Sequence, residues 1–213
     1  MLRVWQKPLL NNKKIVQFDF ATPGAHTQVL DAGTYDIWLV GGGGGGSLWR
    51  YPTGHTVLYT WADGGPGGVI HVRVNVPVQT TVTVNVAGTS VSRWTDGGVT
   101  SGDDGQSSSV VGLLNANVTA GGGTKGSVAG YGSMTRAQMG TNTASGANIK
   151  VIENNLENII PEAGYGTNRS TPIKSNTNWP ENRNIGRGGY CFPSNNPSPR
   201  EGNAGFVRIR TSD

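Results

Sequence analysis

The feature that most constrains this chain is a run of six consecutive glycines at residues 41–46, directly after the apolar segment 35–40. Glycine after a strand can let the backbone approach a nucleotide phosphate, form a flexible linker, or serve as a structural element in its own right. Each alternative predicts a different function. The residues around the run and the other glycines of the chain distinguish them.

The sequence around the run disfavours a nucleotide site. Gly41, Gly43 and Gly46 fit the G-x-G-x-x-G pattern, but any run of this length does. A dinucleotide site also needs a helix whose N-terminus faces the pyrophosphate and an acidic residue about 20 positions further on. The segment that follows, SLWRYPTGH, contains a proline and no helical periodicity. Lys125, in GGGTKG, lacks the G-K-[ST] order of a P-loop.

The recurrence of glycine favours a structural role over a flexible linker. The chain contains 34 glycines, and several flexible linkers inside one domain would cost conformational entropy without a compensating gain. Extended glycine segments can instead form a helix with three residues per turn, and they pack closely because they lack Cβ atoms. The sequence therefore predicts packed segments of the polyglycine II type. The glycines assigned to this role are Gly41, Gly42, Gly43, Gly44, Gly45, Gly46, Gly121, Gly122 and Gly123.

Alternating apolar residues predict short β-strands along most of the chain. The clearest pattern covers residues 69–76 and 80–86, on either side of Pro77, and predicts two antiparallel strands joined by a short turn. Segment 34–40 is apolar on both faces, which predicts a central strand. Short strands separated by glycine-rich turns predict an all-β fold, a jelly-roll-like antiparallel β-sandwich with long irregular loops.

One segment departs from the β pattern. Ile149, Ile152, Leu156 and Ile160 stand at near-helical spacing before Pro161, and they predict a short helix or helical turn. The expected organisation has an N-terminal attachment segment at 1–12 and a single domain at 13–213. That domain is expected to contain a loop-rich insertion at about 125–201.

Four stretches, taken in order, resemble a known family. They are GTYDIWLVGGGGGGS, GGPGGVIHVRVNVPVQTTVTVNVAG, GQSSSVVGLLNANVTAGGG and GNAGFVRIR. In this order they resemble the glycine-rich β-sandwich domain of bacteriophage tail fibres and adhesins. The resemblance covers about residues 16–123 and 202–210. It implies a virion protein whose specificity lies in the two regions that depart from the family pattern, the long aromatic segment after Gly46 and the insertion at 125–201.

Composition and motifs disfavour several classes of function. The formal charge of +4 is spread thinly, without a cluster of Lys or Arg, so no nucleic-acid partner is expected. One cysteine, Cys191, and three widely spaced histidines give no metal-ligand spacing, so no metal or cofactor is expected. Asp103 and Asp104 are adjacent on an extended segment and would point apart, which disfavours a shared acid–base site. No signal sequence and no apolar membrane span is visible, so no membrane insertion is expected.

Aromatic residues in polar surroundings are the best candidates for binding. Flat rings suit stacking on sugars or contacts with protein, and neighbouring polar side chains supply hydrogen bonds. The alternative, that a given ring only covers the glycine segments or the rim of the sandwich, stays open. The receptor-binding candidates are Trp49, Arg50, Tyr51, His55, Tyr59 and Trp61 in one segment, and Trp179 and Tyr190 in two Asn-rich segments.

Three functions remain open from the sequence. The first is a non-enzymatic structural or adhesin protein of a phage tail or fibre that contacts a polysaccharide or protein of the host surface. The second is a carbohydrate-active enzyme, which the missing acid–base pair disfavours. The third is a cellular surface or matrix protein, which the missing signal sequence disfavours. The resemblance favours the first, located in the virion and extracellular when it acts.

The expected assembly also follows from the resemblance and from the N-terminal residues. Trp5, Leu9 and Leu10 are apolar, which makes the segment 1–12 the expected contact with sister chains or other virion proteins. A homo-oligomer is expected, and the fibre family implies a trimer.

Overall fold

The computed structural model describes residues 15–54, 56–154, 163–166, 185–191 and 199–212. Within these ranges the chain forms β-strands and no helix, so the all-β prediction is confirmed. The strands are β1 Gln17–Phe20, β2 Gly24–Leu30, β3 Gly33–Val40, β4 Ser47–Thr53, β5 Thr56–Ala62, β6 Val69–Val76, β7 Thr80–Val86, β8 Arg93–Thr95, β9 Thr100–Ser101, β10 Ser108–Val111, β11 Asn117–Ala120, β12 Ser127–Gly130, β13 Ser133–Thr135, β14 Asn142–Ser145, β15 Ile149–Asn154, β16 Ala163–Gly166, β17 Tyr190–Cys191, β18 Pro199–Arg200 and β19 Phe206–Thr211.

Two five-stranded antiparallel sheets form the main sandwich. Their strand orders are β1-β19-β3-β6-β15 and β14-β11-β10-β7-β2. Because side chains alternate along a strand, Ile37 and Val72 face inward from the first sheet, and Val84 and Val118 face inward from the second. All four belong to one buried core. β3 is the central strand of its sheet, as its two apolar faces predict.

The two strongest alternating segments form strands, but the hairpin predicted between them is wrong. β6 pairs with β3 and β15, whereas β7 pairs with β10 and β2, so the turn at Pro77 carries the chain from one sheet to the other. The valines of the two strands meet across the core. Alternation specifies which face of a strand is buried but not which neighbour completes its backbone hydrogen bonds, so the sequence does not distinguish a hairpin from a crossing between sheets.

The described part of the predicted helix is also a strand. Ile149–Asn154 is β15, the edge of the first sheet, and its register shifts between Val151 and Glu153. The register shift marks a β-bulge or irregularity. In a short apolar segment such as this one, the spacing of apolar residues alone does not distinguish a helix from a strand. β14 is likewise the edge of the second sheet. These parts of the predicted insertion therefore complete the sandwich. Among the described residues, no helix is long and apolar enough to cross a membrane.

Beyond the sandwich lie a four-stranded sheet, which contains the aromatic segment, and a three-stranded sheet. Their strand orders are β16-β5-β4-β8 and β13-β12-β9, and the pairing of β4 with β8 is parallel. Six connections that are described throughout run between strands of the sandwich and strands of these smaller sheets, and each of the six is six residues long. They are residues 41–46, 63–68, 87–92, 102–107, 121–126 and 136–141. With residues 186–189 and 201–205, we call these segments the glycine lattice.

Backbone hydrogen bonds join the lattice segments to one another. The nitrogen of Gly41 donates to the carbonyl of Gly68 (2.9 Å), and that of Gly68 donates to Gly121 (2.7 Å). The nitrogen of Gly123 donates to Gly42 (2.9 Å). The predicted contact between the two glycine runs is therefore confirmed, and the buried backbone groups of the run find their partners in neighbouring segments.

The packing around the six-glycine run repeats every three residues. A Cβ atom on Gly41 or on Gly44 would overlap the backbone of segment 121–126, and one on Gly43 would overlap the carbonyl of Arg187. The intervening glycines face other segments. Neighbouring backbone therefore surrounds Gly41 to Gly45, which explains why these positions hold glycine.

A less crowded connection shows the same period with fewer glycines. In residues 63–68, DGGPGG, Gly64 and Gly67 would each place a Cβ atom into the run 41–46. The glycine after each of them would place its Cβ against residues 138–142. The two remaining positions hold Asp63 and Pro66, so glycine occurs where another segment is in close contact.

Buried serines satisfy further backbone groups at the edge of the lattice. The Oγ of Ser108 donates to the carbonyl of Val40 (2.7 Å), and the Oγ of Ser90 donates to that of Gly43 (2.6 Å). Both serines are buried. A small hydroxyl side chain can thus donate a hydrogen bond to a buried carbonyl group at the edge of the lattice.

Candidate functional site

The aromatic segment after Gly46 is a β-hairpin and not a loop. β4 and β5 pair antiparallel from Ser47 opposite Ala62 to Thr53 opposite Thr56. Aromatic residues stand on both faces of this hairpin, so the alternation typical of a half-buried strand is missing from its sequence. This explains why the segment was not recognisable as a pair of strands.

Three of the receptor-binding candidates, Trp49, Tyr59 and Trp61, are buried, which favours the alternative that these rings only pack within the protein. Trp49 is 8% exposed and packs with Val128 of β12 on one face of the hairpin. Trp61 is also 8% exposed and packs with Leu48 and Tyr59 on the other face. In each case the ring belongs to a hydrophobic cluster, so removal of the ring would lower the stability of the fold.

Tyr51 is the predicted candidate that the structure leaves accessible. Tyr51 is 48% exposed, and its ring stacks on that of Trp49, with the ring centroids 5.4 Å apart and the ring planes 2° from parallel. The Nε1 of Trp49 is buried and has no hydrogen-bond partner among the described residues. Burial of an unpaired N–H costs about 1–3 kcal/mol, so the position of this indole reflects its ring contacts and not a hydrogen bond.

The structure adds an aromatic residue that the sequence analysis missed. Tyr131, in the turn between β12 and β13, is 47% exposed, and its ring centroid lies 6.4 Å from that of Trp49. The backbone nitrogen of the next residue, Gly132, donates to Thr60 Oγ1 of β5 (3.0 Å), which fixes this turn beside the hairpin. The available signal was the pattern GYG, because an aromatic residue between two turn glycines has little chance to enter a core.

The remaining candidates are placed differently or lie outside the described residues. Arg50 alternates with Trp49 and Tyr51, so it projects from the opposite face, and its Nε lies 3.3 Å from the carboxylate of Asp96. His55 and Trp179 lie outside the described residues. For Tyr190 the structure describes only the backbone, which pairs with that of Arg200. These three stay predictions.

The adjacent carboxylates Asp103 and Asp104 have separate cationic partners. Asp103 accepts a hydrogen bond of 3.0 Å from Arg93, whereas the Nζ of Lys125 lies 3.7 Å from Asp104. The two carboxylates therefore contact different partners at the edge of the lattice. This agrees with the expectation that adjacent side chains on an extended segment point apart.

A polar cluster lies on the outer face of the first sheet. Asp36 accepts two hydrogen bonds of 2.9 Å from Arg73, and His71, which stacks on Trp38, lies 3.2 Å from the same carboxylate. Burial opposes the ionisation of Asp36, but hydrogen bonds from Arg73, His71 and Ser212 outweigh it, so the pKa of this carboxyl lies below its usual value. The carboxylate is thus engaged in holding neighbouring strands together.

Comparison with known proteins does not assign this site. No protein-family model matches the chain, and no curated protein is significantly similar to it. Among the described residues, no group of three or more His, Cys, Asp or Glu side chains is placed to hold a metal ion.

Proposed function

We propose that this chain is a non-enzymatic structural or adhesin protein of a bacteriophage tail or fibre, which contacts a polysaccharide or protein of the host surface. One observation carries the proposal. The half-exposed rings of Tyr51 and Tyr131 lie on the far side of the glycine lattice from the main sandwich. A lattice of hydrogen-bonded backbone segments between a binding end and the rest of the molecule suits a protein that presents a receptor contact.

The opposite end of the sandwich supports this division of roles. Ile15 and Ser212, the first and last described residues, line a groove of about 280 Å³ there. The exposed apolar residues Ile15, Val29 and Val78 lie at the same end. Exposed apolar side chains gathered at one end favour contact with other protein. We assign this end to sister chains or other virion proteins, in a homo-oligomer for which the fibre family implies a trimer.

The proposal includes two finer features of the fold. We propose that the lattice segments are polyglycine II-type helices, because their contacts repeat every three residues and their hydrogen bonds run between segments. We also propose a jelly-roll-like arrangement of the two large sheets, since consecutive strands such as β6 and β7 belong to different sheets.

Two alternative functions belong to other classes of protein. A cellular surface or matrix protein would use the same lattice as a spacer, and the genes that flank this one would distinguish it, because tail or capsid genes favour the phage protein. A carbohydrate-active enzyme would need an acid–base pair beside a bound sugar. Asp103 and Asp104 do not supply such a pair, because each carboxylate is paired with a different cationic side chain.

The direct test is binding of the purified full-length protein to intact bacterial cells. The expected result is saturable binding to the cells of some strains and not of others, because an adhesin discriminates between surfaces. Detection of the protein in purified phage particles by mass spectrometry would place it in the virion. Absence from such particles, together with no binding to any bacterial surface, would overturn the proposal.

A further inference from the structure

Three aromatic rings from two different sheets meet at the far side of the lattice. Trp49 and Tyr51 stand two residues apart on β4, so they share one face of the hairpin, and Tyr131 approaches that face from the β12–β13 turn. The Trp49 ring centroid lies 5.4 Å from that of Tyr51 and 6.4 Å from that of Tyr131. The two tyrosine rings therefore lie at most about 12 Å apart, and we call these three residues the aromatic platform.

Each tyrosine is held in place while about half of its surface stays accessible. The Tyr51 ring rests on the buried Trp49 indole, and the turn that carries Tyr131 is hydrogen bonded to β5 through Gly132 and Thr60. Rings that are held by contacts of this kind lose little conformational entropy when a ligand binds. A buried indole beneath an accessible phenol thus makes a preorganised flat surface.

The described neighbours of Tyr51 by strand register are uncharged. Thr53 follows it by two residues, and the paired register places Leu58 opposite Tyr51 and Thr56 opposite Thr53. Both threonines are exposed. The cationic side chain of Arg50 projects from the opposite face, where it is paired with Asp96. Tyr51 and these described neighbours therefore offer a ring and hydroxyl groups without a charge.

We propose that the aromatic platform binds a neutral saccharide, with pyranose rings stacked on Tyr51 and Tyr131. The C–H face of a pyranose packs on the flat face of an aromatic ring, and the phenol hydroxyls can exchange hydrogen bonds with sugar hydroxyls. The Oγ1 of Thr53, which donates to the carbonyl of Thr56 (2.8 Å), can still accept a hydrogen bond from a sugar hydroxyl. The upper limit of about 12 Å between the two rings suits a short oligosaccharide. This inference deepens the proposed function and rests on it, because it names the ligand class of the receptor contact.

Two other ligand classes fit the platform less well. An anionic saccharide would need a cation on the same face, and the described neighbours of Tyr51 by register supply none. A protein partner would favour a surface with few threonines, because Thr and Ser are under-represented among the residues that dominate protein–protein binding. The mixture of exposed phenols and threonines favours a neutral sugar.

The test uses the full-length protein on an array of neutral oligosaccharides built from glucose, galactose, mannose and N-acetylglucosamine, with uronic-acid and sialylated oligosaccharides printed beside them. Titration of the neutral oligosaccharide that binds best should show a loss of affinity of about tenfold or more for Tyr51→Ala and for Tyr131→Ala. Tyr51→Phe keeps the ring and should lose less than Tyr51→Ala. Trp94→Ala is the matched control, since Trp94 is exposed but pairs with Leu48 and so lies on the opposite face.

The outcomes separate this inference from the proposed function. Failure to bind any neutral oligosaccharide, binding of charged ones only, or unchanged affinity of both alanine variants would overturn the platform. If the protein still binds bacterial cells and protease treatment of the cells removes that binding while periodate does not, the partner is a surface protein. In that case the adhesin proposal stands and the saccharide inference is wrong. Failure to bind cells at all would count against the adhesin proposal as well.

Discussion

The backbone nitrogen of Gly123 donates a hydrogen bond of 2.9 Å to the carbonyl oxygen of Gly42, and this bond joins the two glycine runs of the chain. Backbones approach each other closely here because neither residue carries a Cβ atom. The same spacing recurs along the lattice, where added Cβ atoms would overlap neighbouring carbonyl groups. The contact between the sandwich and the smaller sheets therefore depends on backbone atoms more than on side chains.

Substitution of a central lattice glycine should be severe. The Cβ atom of Gly44→Ala would overlap the carbonyl group of Thr124, which is backbone and cannot move aside cheaply. We expect a loss of about 1–3 kcal/mol or more in the free energy of unfolding, measured by urea denaturation. The double variant Gly43→Val, Gly44→Val places two larger side chains at the same contacts and should fail to fold.

Gly130→Ala is the matched control for this prediction. Gly130 lies in β12, its φ is not positive, and an added Cβ atom would have no neighbour within 4 Å. The free energy of unfolding of the Gly130→Ala variant should differ from that of the wild type by about 0.5 kcal/mol or less, as is usual for a surface position. Equal denaturation midpoints for Gly44→Ala and Gly130→Ala would show that the lattice does not pack as described.

Trp61→Ala should destabilise the fold. Trp61 is buried in a cluster with Leu48 and Tyr59, and removal of a buried indole leaves a cavity that costs about 3–5 kcal/mol. Trp94→Ala, at an exposed ring on the same face of the sheet, should cost about 1 kcal/mol or less. Thermal melts of the two variants check the difference, and a Trp61→Ala variant that melts with the wild type would return this ring to the surface candidates.

Strand positions and their buried faces were predictable wherever one face of a strand is polar. The valines of β6 and β7 show the period of two, and their burial follows from it. The pairing of β6 with β3 was not predictable, because every β-strand offers the same backbone donors and acceptors. β15 was misassigned because its bulge and half-exposed position leave apolar residues at irregular spacing.

The candidate site was predictable only in part, for a related reason. The segment that contains Tyr51 was recognisable from its aromatic content, but the burial of Trp49 and Trp61 depends on contacts with distant strands. Tyr131 joins the site through the lattice, which brings β12 beside β4 across a long stretch of sequence. Local sequence patterns do not report such contacts, whereas the glycine run does report that a close backbone contact exists.

Asp36→Asn should lower stability at neutral pH and lose its effect in acid. The folded-state pKa of Asp36 lies below the ordinary value of 3.8, so the stabilisation is fully present above that value and is lost as the pH falls through the folded pKa. At pH 7 the variant leaves Arg73 without its bidentate partner, and we expect a loss of about 1–3 kcal/mol. Urea denaturation at pH 7 and at pH 2.5 measures the free energy of unfolding of the wild type and of Asp36→Asn. If the difference between the two proteins does not become smaller at pH 2.5, the stabilising role assigned to the Asp36 carboxylate is wrong.

Deletion of residues 1–12 should change the assembly and leave the sandwich folded. Among the described residues, apolar side chains such as Ile15, Val29 and Val78 are exposed at the end where the N-terminal segment joins the sandwich. A contact there would bury apolar surface of both this end and the deleted segment, which contains Trp5, Leu9 and Leu10. Light scattering coupled to size exclusion, at several protein concentrations, should show a homo-oligomer for the full chain and a smaller species for the deletion variant. The thermal melt of the deletion variant reports whether the sandwich stays folded. A full-length monomer at every concentration would show that this end does not join sister chains.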